Sequence, residues 1–132
     1  MRALILAEQE RQAGRFILSA DTPAYLAKLE SRAEILADSV EGRCRGLVAF
    51  YCNDTASRLA YISLVVVDPR DRGLGIGQAL VGGVLILARQ RGFTACRLEV
   101  GHDNAPALAL YRSLGFVPVE ERDQTHLLEA IL

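Results

Sequence analysis

The densest group of chemically useful residues in the chain is the run Arg70-Asp71-Arg72-Gly73-Leu74-Gly75-Ile76-Gly77-Gln78. The β-branched residues Val65-Val66-Val67 precede it, and a long segment of helical apolar spacing comes after it. A strand that runs into close glycines and then a helix makes an anion site. Backbone N–H groups at a helix start point the same way, and the helix dipole adds partial positive charge there. Glycine lets a ligand approach the backbone with no Cβ in the way, and Arg70 and Arg72 add charge suited to phosphate. Three readings compete for the turn. A Walker-type nucleotide loop needs a Lys-Ser/Thr pair after its last glycine, and Gln78 follows Gly77 here. A dinucleotide fingerprint needs G-x-G-x-x-G, and Gln78 stands where its last glycine belongs. Glu99 lies about where a ribose-binding acid would, but the chain is short for a full dinucleotide fold. A tight turn with no ligand is the third.

Downstream, Asn104 and Tyr111 are seven residues apart. On a helix that is two turns, so both side chains share a face. Asn104 also suits a helix cap, and a tyrosine at position 111 can simply pack its helix. Cys44, Cys52 and Cys96 are odd in number and lack C-x-x-C spacing. Neither zinc ligation nor a disulfide framework is expected, and no metal site is assigned. None pairs with a histidine in the pattern of a covalent nucleophile. They read as small packed thiols in a reducing compartment.

The elements around these residues follow from spacing and turn chemistry. Arg2 to Gln12 reads as a helix stopped at Gly14, and a second helix opens at Asp21-Thr22-Pro23, with Asp21 or Thr22 as cap. Strands are expected at Ala33–Ser39, Gly46–Cys52 and Leu59–Val67, joined by short turns and therefore antiparallel. Gly75 to Arg91 is a helix whose Leu80, Val84 and Leu87 share a face, with Gly92 as its stop. Thr94–Val100 is a strand, Asn104–Leu114 a helix, and Phe116–Arg122 and Thr125–Ile131 a closing pair of strands. Antiparallel β followed by strand, helix and strand gives a mixed α/β (α+β) sheet.

Size and charge narrow the function. The 132 residues fit one domain, and 51% apolar with 23% charged residues is ordinary globular composition. A net charge of −1 argues against nucleic acid as partner. No apolar run approaches ~18 residues, so no membrane span is expected. The apolar stretch at Met1–Ala7 is short for a signal peptide. The expected location is the cytoplasm.

Arg72-Gly73-Leu74-Gly75-Ile76-Gly77 matches R-x-x-G-x-G, and it resembles the pyrophosphate loop of the GNAT superfamily of acyl-CoA-dependent N-acetyltransferases. Asn104, Ala107, Tyr111 and Leu114-Gly115-Phe116 resemble that family's second signature, N-x-x-A-x-x-x-Y-x-x-x-G-F. The resemblance runs from about Ala33 to the C-terminus. It implies a mostly antiparallel sheet with helices on both faces and a splay between two central strands, after Val66. The first ~14 residues read as helix where the family usually begins with a strand. The resemblance further implies acetyl-CoA as co-substrate, with its diphosphate on the N–H groups of Gly73 to Gln78. Val65 and Val67 would pair their backbones with the pantetheine arm, and Asn104 would bond it too. Tyr111 would protonate the departing thiolate. The partner would be a small-molecule or peptide amine, and a homodimer is compatible with the family. Family members often carry a Glu on the strand before the loop, where Tyr61, Ser63 and Leu64 stand here. A water held by Tyr61, Ser63 or backbone carbonyls is therefore a candidate route for the amine proton, with Glu99 and His102 as alternatives. A catalytically silent acyl-CoA binder of the same fold is the alternative.

Overall fold

The structure is a computed structural model and describes residues 1–12 and 21–132. Helix α1 spans Arg2–Arg11 and α2 Thr22–Arg32. Strands β1 (Glu34–Val40), β2 (Arg43–Tyr51) and β3 (Leu59–Val67) follow. A 3-10 turn at Pro69–Asp71 leads to α3 (Ile76–Gln90), β4 (Ala95–Gly101), α4 (Ala105–Ser113), β5 (Val117–Glu121) and β6 (Thr125–Ile131). The expected stop at Gly14 lies outside the described residues. α1 is a helix, as its composition predicts. Asp21, not Thr22, caps α2: its carboxylate accepts the N–H of Ala24 at 3.1 Å. Among the described residues, no helix is long and apolar enough to cross a membrane.

The six strands form one sheet in the order β1-β2-β3-β4-β6-β5. Only β3 and β4 run parallel, because α3 carries the chain from one to the other. Helices cover both faces. On one face Ile5 of α1 and Leu26 and Leu29 of α2 pack on Leu47, Ala49, Leu64 and Val66. On the other, Val81, Val84 and Ala88 of α3 and Tyr111 of α4 pack on Val48, Phe50, Ala60, Ile62, Cys96 and Leu98.

Strand β3 changes sides along its length. Its pairing with β2 matches Ile62 to Phe50 and Leu64 to Ala49, so Ser63 is one residue too many. Such a bulge rotates the remainder of the strand by one position. Ala60 and Ile62 therefore face α3, whereas Leu64 and Val66 face α1 and α2. Val65 and Val67 turn their side chains to the α3 face.

The pairing of β3 with β4 ends at Ile62 opposite Leu98. The splay thus opens after Ile62, four residues earlier than the expected Val66, and at the bulge itself. Beyond it, among the described residues, β3 keeps only its β2 partner.

Candidate functional site

The parted strands form the walls of a cleft of about 1220 Å³. Of the residues singled out from the sequence, Val65, Val67, Arg72, Gly73, Gly75, Ile76, Gly77, Gln78, Asn104 and Tyr111 all line it. Leu74 does not. The residue is 64% exposed.

At one end the cleft meets the start of α3. Gly75 is the N-cap at φ 76°, and no side chain of the described residues caps the helix. The first N–H to find a helical carbonyl is that of Ala79, which bonds Gly75 at 3.0 Å. The N–H groups of Ile76, Gly77 and Gln78 thus have no helical partner. A Cβ added at Gly73 or Gly75 would meet nothing within 4 Å, so the approach to the turn is open. Gly73 at φ 81° and Gly75 both use backbone that L side chains avoid. The residues present therefore fit a diphosphate: free N–H donors, the positive end of a 15-residue helix, and no acid in its first turn.

The arginine side chains depart from expectation. Arg70 wraps back onto Asp68, bonding its two oxygens at 3.2 and 2.9 Å. Arg72 reaches Glu8 of α1 at 2.9 Å, and Glu8 also takes Arg11 and Gln12. Burial by itself would raise the Glu8 pKa, but these partners outweigh burial and hold it below the ordinary value. Arg43 grips Asp71 beneath the turn at 2.7 and 3.1 Å. These pairs brace the loop from below and leave the backbone N–H groups at the start of α3 as its donors without a helical partner.

Along the cleft, strand geometry decides what β3 offers. Asp68 donates its N–H to the Arg45 carbonyl on the β2 side at 2.7 Å. Backbone groups alternate sides along a strand, so those of Val67 and Val65 point into the gap. On the opposite wall Asn104 caps α4, its Oδ1 accepting the N–H of Ala107 at 3.3 Å, while its Nδ2 has no partner among the described residues. The sequence left capping and ligand contact as alternatives, and the two halves of the amide allow both.

Tyr111 is 8% exposed, packs edge-on against Phe116 with centroids 5.8 Å apart, and reaches the cleft. Burial pushes its pKa from 10 up to about 12, so its hydroxyl stays protonated well into the alkaline range. Past the bulge, Tyr25 and Ser63 share a hydrogen bond of 2.6 Å between their hydroxyls. Tyr61 is raised to about 12, first by burial and then by neighbouring Glu99. Both Glu99 oxygens are occupied, one by Arg122 and one by the Thr125 hydroxyl at 2.9 Å.

His102 lines the cleft, and its Nε2 donates to the Thr125 carbonyl at 2.9 Å. It stacks on His126, ring centroids 4.2 Å apart, and with Glu121 they form the one group of metal-ligand types found among the described residues. Sequence reading missed His126 and Glu121, which come together only through the β5–β6 pairing. It also missed Tyr25, whose place on α2 carries no signature. Cys96 is fully buried and its thiol is pushed up to about 12, so it packs, as expected.

A sheet parted at its middle over a bare helix start is the architecture of a CoA-type acetyltransferase fold. Comparison with known proteins agrees: the chain belongs to the acetyltransferase (GNAT) family, whose model matches residues 5–116. That match begins well before Ala33, so most of α1, from Ile5 onward, falls inside the family region. Over 59 residues, 45% of this chain, it is 49% identical to the mycothiol acetyltransferase of Saccharomonospora viridis, covering 19% of that protein's length. The Ard1 protein of Thermoplasma volcanium superposes with a TM-score of 0.75 at 27% identity, over 91% of this chain and 86% of that one. The PaiA N-acetyltransferase of Thermoplasma acidophilum, in complex with coenzyme A, superposes with a TM-score of 0.71 at 16% identity, over 83% of this chain and 68% of that one, a likeness of fold.

Proposed function

We propose that this chain is an N-acetyltransferase that moves an acetyl group from acetyl-CoA to a primary amine by direct attack. We also take residues 1–132 to act as one domain in the cytoplasm. The observation that carries the reading is the bare N-terminus of α3 at the mouth of the gap between β3 and β4. The family's relatives named as acetyltransferases support it.

Acetyl-CoA would supply an activated acetyl thioester. The N–H groups from Gly73 to Gln78 hold its diphosphate, with Arg72 adding part-neutralised charge at the rim. Val65 and Val67 offer their backbone groups to the pantetheine amides, and the Asn104 amide donates from the other wall. The amine nitrogen forms its bond to the thioester carbonyl carbon, and the carbon–sulfur bond breaks. The sulfur takes the proton of the Tyr111 hydroxyl, which is neutral at physiological pH, and the phenolate left behind regains a proton from solvent. The amine proton leaves through a water held between Tyr61 and Ser63. That route is favoured over Glu99, whose oxygens already accept Arg122 and Thr125.

Calorimetry with acetyl-CoA, followed by thiol release on an amine panel, tests the reading. Binding with turnover on at least one amine is expected. Failure to bind acetyl-CoA would overturn it. Tight binding with no turnover on any amine, and no slow thioester hydrolysis, would make the chain a silent acyl-CoA binder.

A further inference from the structure

Beside the cleft lies a second hollow of about 770 Å³, and the two share Tyr25, Tyr61 and Ser63. Its floor is Tyr51 and Tyr61, direct partners across β2 and β3. Its wall is one stripe of α2: Tyr25, Lys28 and Arg32 are spaced three and four residues apart and so share a helical face. The bond between the Tyr25 and Ser63 hydroxyls joins wall to floor.

Charge distinguishes this hollow from the rest of the surface. Among the described residues its lining holds two cations, Lys28 and Arg32, and no Asp or Glu. Lys28 is the only lysine in the chain. Neither Lys28 nor Arg32 pairs with a carboxylate among the described residues. The acids nearest in sequence are taken elsewhere, Glu30 by Arg2 and Glu34 by Arg91. Elsewhere the arginines are mostly paired: Arg43 with Asp71, Arg45 with Asp38, Arg97 with Glu129, Arg122 with Glu99. Two bare cations, one turn apart over an aromatic floor, suit an anionic group, since Arg offers a planar fork and Lys a compact charge.

We infer that the acceptor is a primary amine that also carries an anionic group, a carboxylate or a phosphate. Lys28 and Arg32 hold that group while the amine passes between Tyr61 and Ser63 into the cleft. This rests on the acetyltransferase reading. The same two charges repel polycations, so polyamines and strongly basic peptides should be poor acceptors.

The test uses matched amines with the purified chain: an amino acid against its amide, phosphoethanolamine against ethanolamine, and spermidine. We expect the anionic member of a pair to have at least tenfold higher kcat/KM. Whichever pair shows the larger preference tells carboxylate from phosphate. In the Lys28→Ala/Arg32→Ala variant the preference should fall toward one through KM, with kcat for the anionic amine largely kept. Acetyl-CoA affinity, measured by calorimetry, should not move. Arg32→Glu should shift preference toward spermidine. Equal kcat/KM within each pair, or a preference that survives the double variant, would overturn the inference. If no amine is acetylated, the activity reading falls separately. Binding of the same pairs, followed by tyrosine ring resonances, then decides the pocket: equal binding overturns it.

Discussion

Gly77 allows the cost to the fold and the cost to the ligand to be measured apart. It is the second residue of α3, and its backbone is not among those with positive φ. A methyl group there would meet Leu110 Cδ2 at 3.5 Å and Val67 Cγ2 at 3.6 Å, both ordinary contacts. Gly77→Ala should therefore fold, and stiffening the unfolded chain should add about 0.4–1 kcal/mol of stability. At ~2.1 cal/mol/K per residue, a chain of 132 residues has an unfolding entropy of about 0.28 kcal/mol/K, so Tm should rise by about 1–4 °C. The ligand sees the opposite. A helical Cα–Cβ bond leans toward the N-terminus, so the methyl tilts toward the place where the diphosphate would sit. Losing one charge-assisted hydrogen bond costs about 1.5–3 kcal/mol, which is about a 10- to 150-fold rise in Kd. Thermal melts and calorimetry with acetyl-CoA read the two effects. A higher Tm with unchanged Kd would show that no phosphate approaches Gly77, and the loop assignment would fail at its centre.

Gly46→Ala should act through the fold. Its Cβ would lie 2.9 Å from Ile76 Cγ2 and 3.2 Å from the Val66 carbonyl oxygen. Overpacking of this kind costs about 1–3 kcal/mol, a Tm loss of about 4–11 °C, and the push on Ile76 should weaken acetyl-CoA binding as well; an unchanged melt would refute the tight packing of β2 against α3. Tyr111→Phe should lower kcat by about 10²- to 10⁴-fold while acetyl-CoA affinity holds; with the wild-type hydroxyl titrating at about 12, the donor persists across the neutral and mildly alkaline range, so the pH profile should show no loss of this group there. Acid should unfold the loop's supports. Asp71, bonded by Arg43, and Asp68, bonded by Arg70, are both held below the ordinary carboxylate value. A lowered folded pKa means stability that is complete above the unfolded value of ~3.9 and is lost as pH falls through the folded one. Tm should stay level from neutral pH down to about pH 5 and drop below about pH 4, less steeply in Arg43→Ala; equal slopes would remove the Arg43–Asp71 pair from the account.

Local chemistry made much of this fold legible. The bounds of β3 coincide with those read from its β-branched run. Asp21, Gly75 and Gly92 mark element ends because capping and positive φ are properties of single residues. What the sequence hid depends on partners far along the chain. Period-2 reading places Ala60, Ile62, Leu64 and Val66 on one face. The bulge at Ser63 divides them between two cores, and nothing in the residue types announces it. Arg72 is well spaced for a phosphate, but its side chain is claimed by Glu8, 64 positions away. The second hollow was least legible, since Tyr25, Tyr51 and Tyr61 meet only when α2 docks on β2 and β3.

The gap between β3 and β4 also sets how the backbone trades protons with solvent. Past Ile62 the strand has half a ladder, and the amides of Val65 and Val67 face an open slot instead of a neighbouring strand. In the free protein these two should exchange hydrogen for deuterium faster than those of Leu64 and Val66 on the β2 side. A molecule lying in the slot as an extra strand would slow that pair alone, so two amides of one strand can report occupancy before any bond is made or broken.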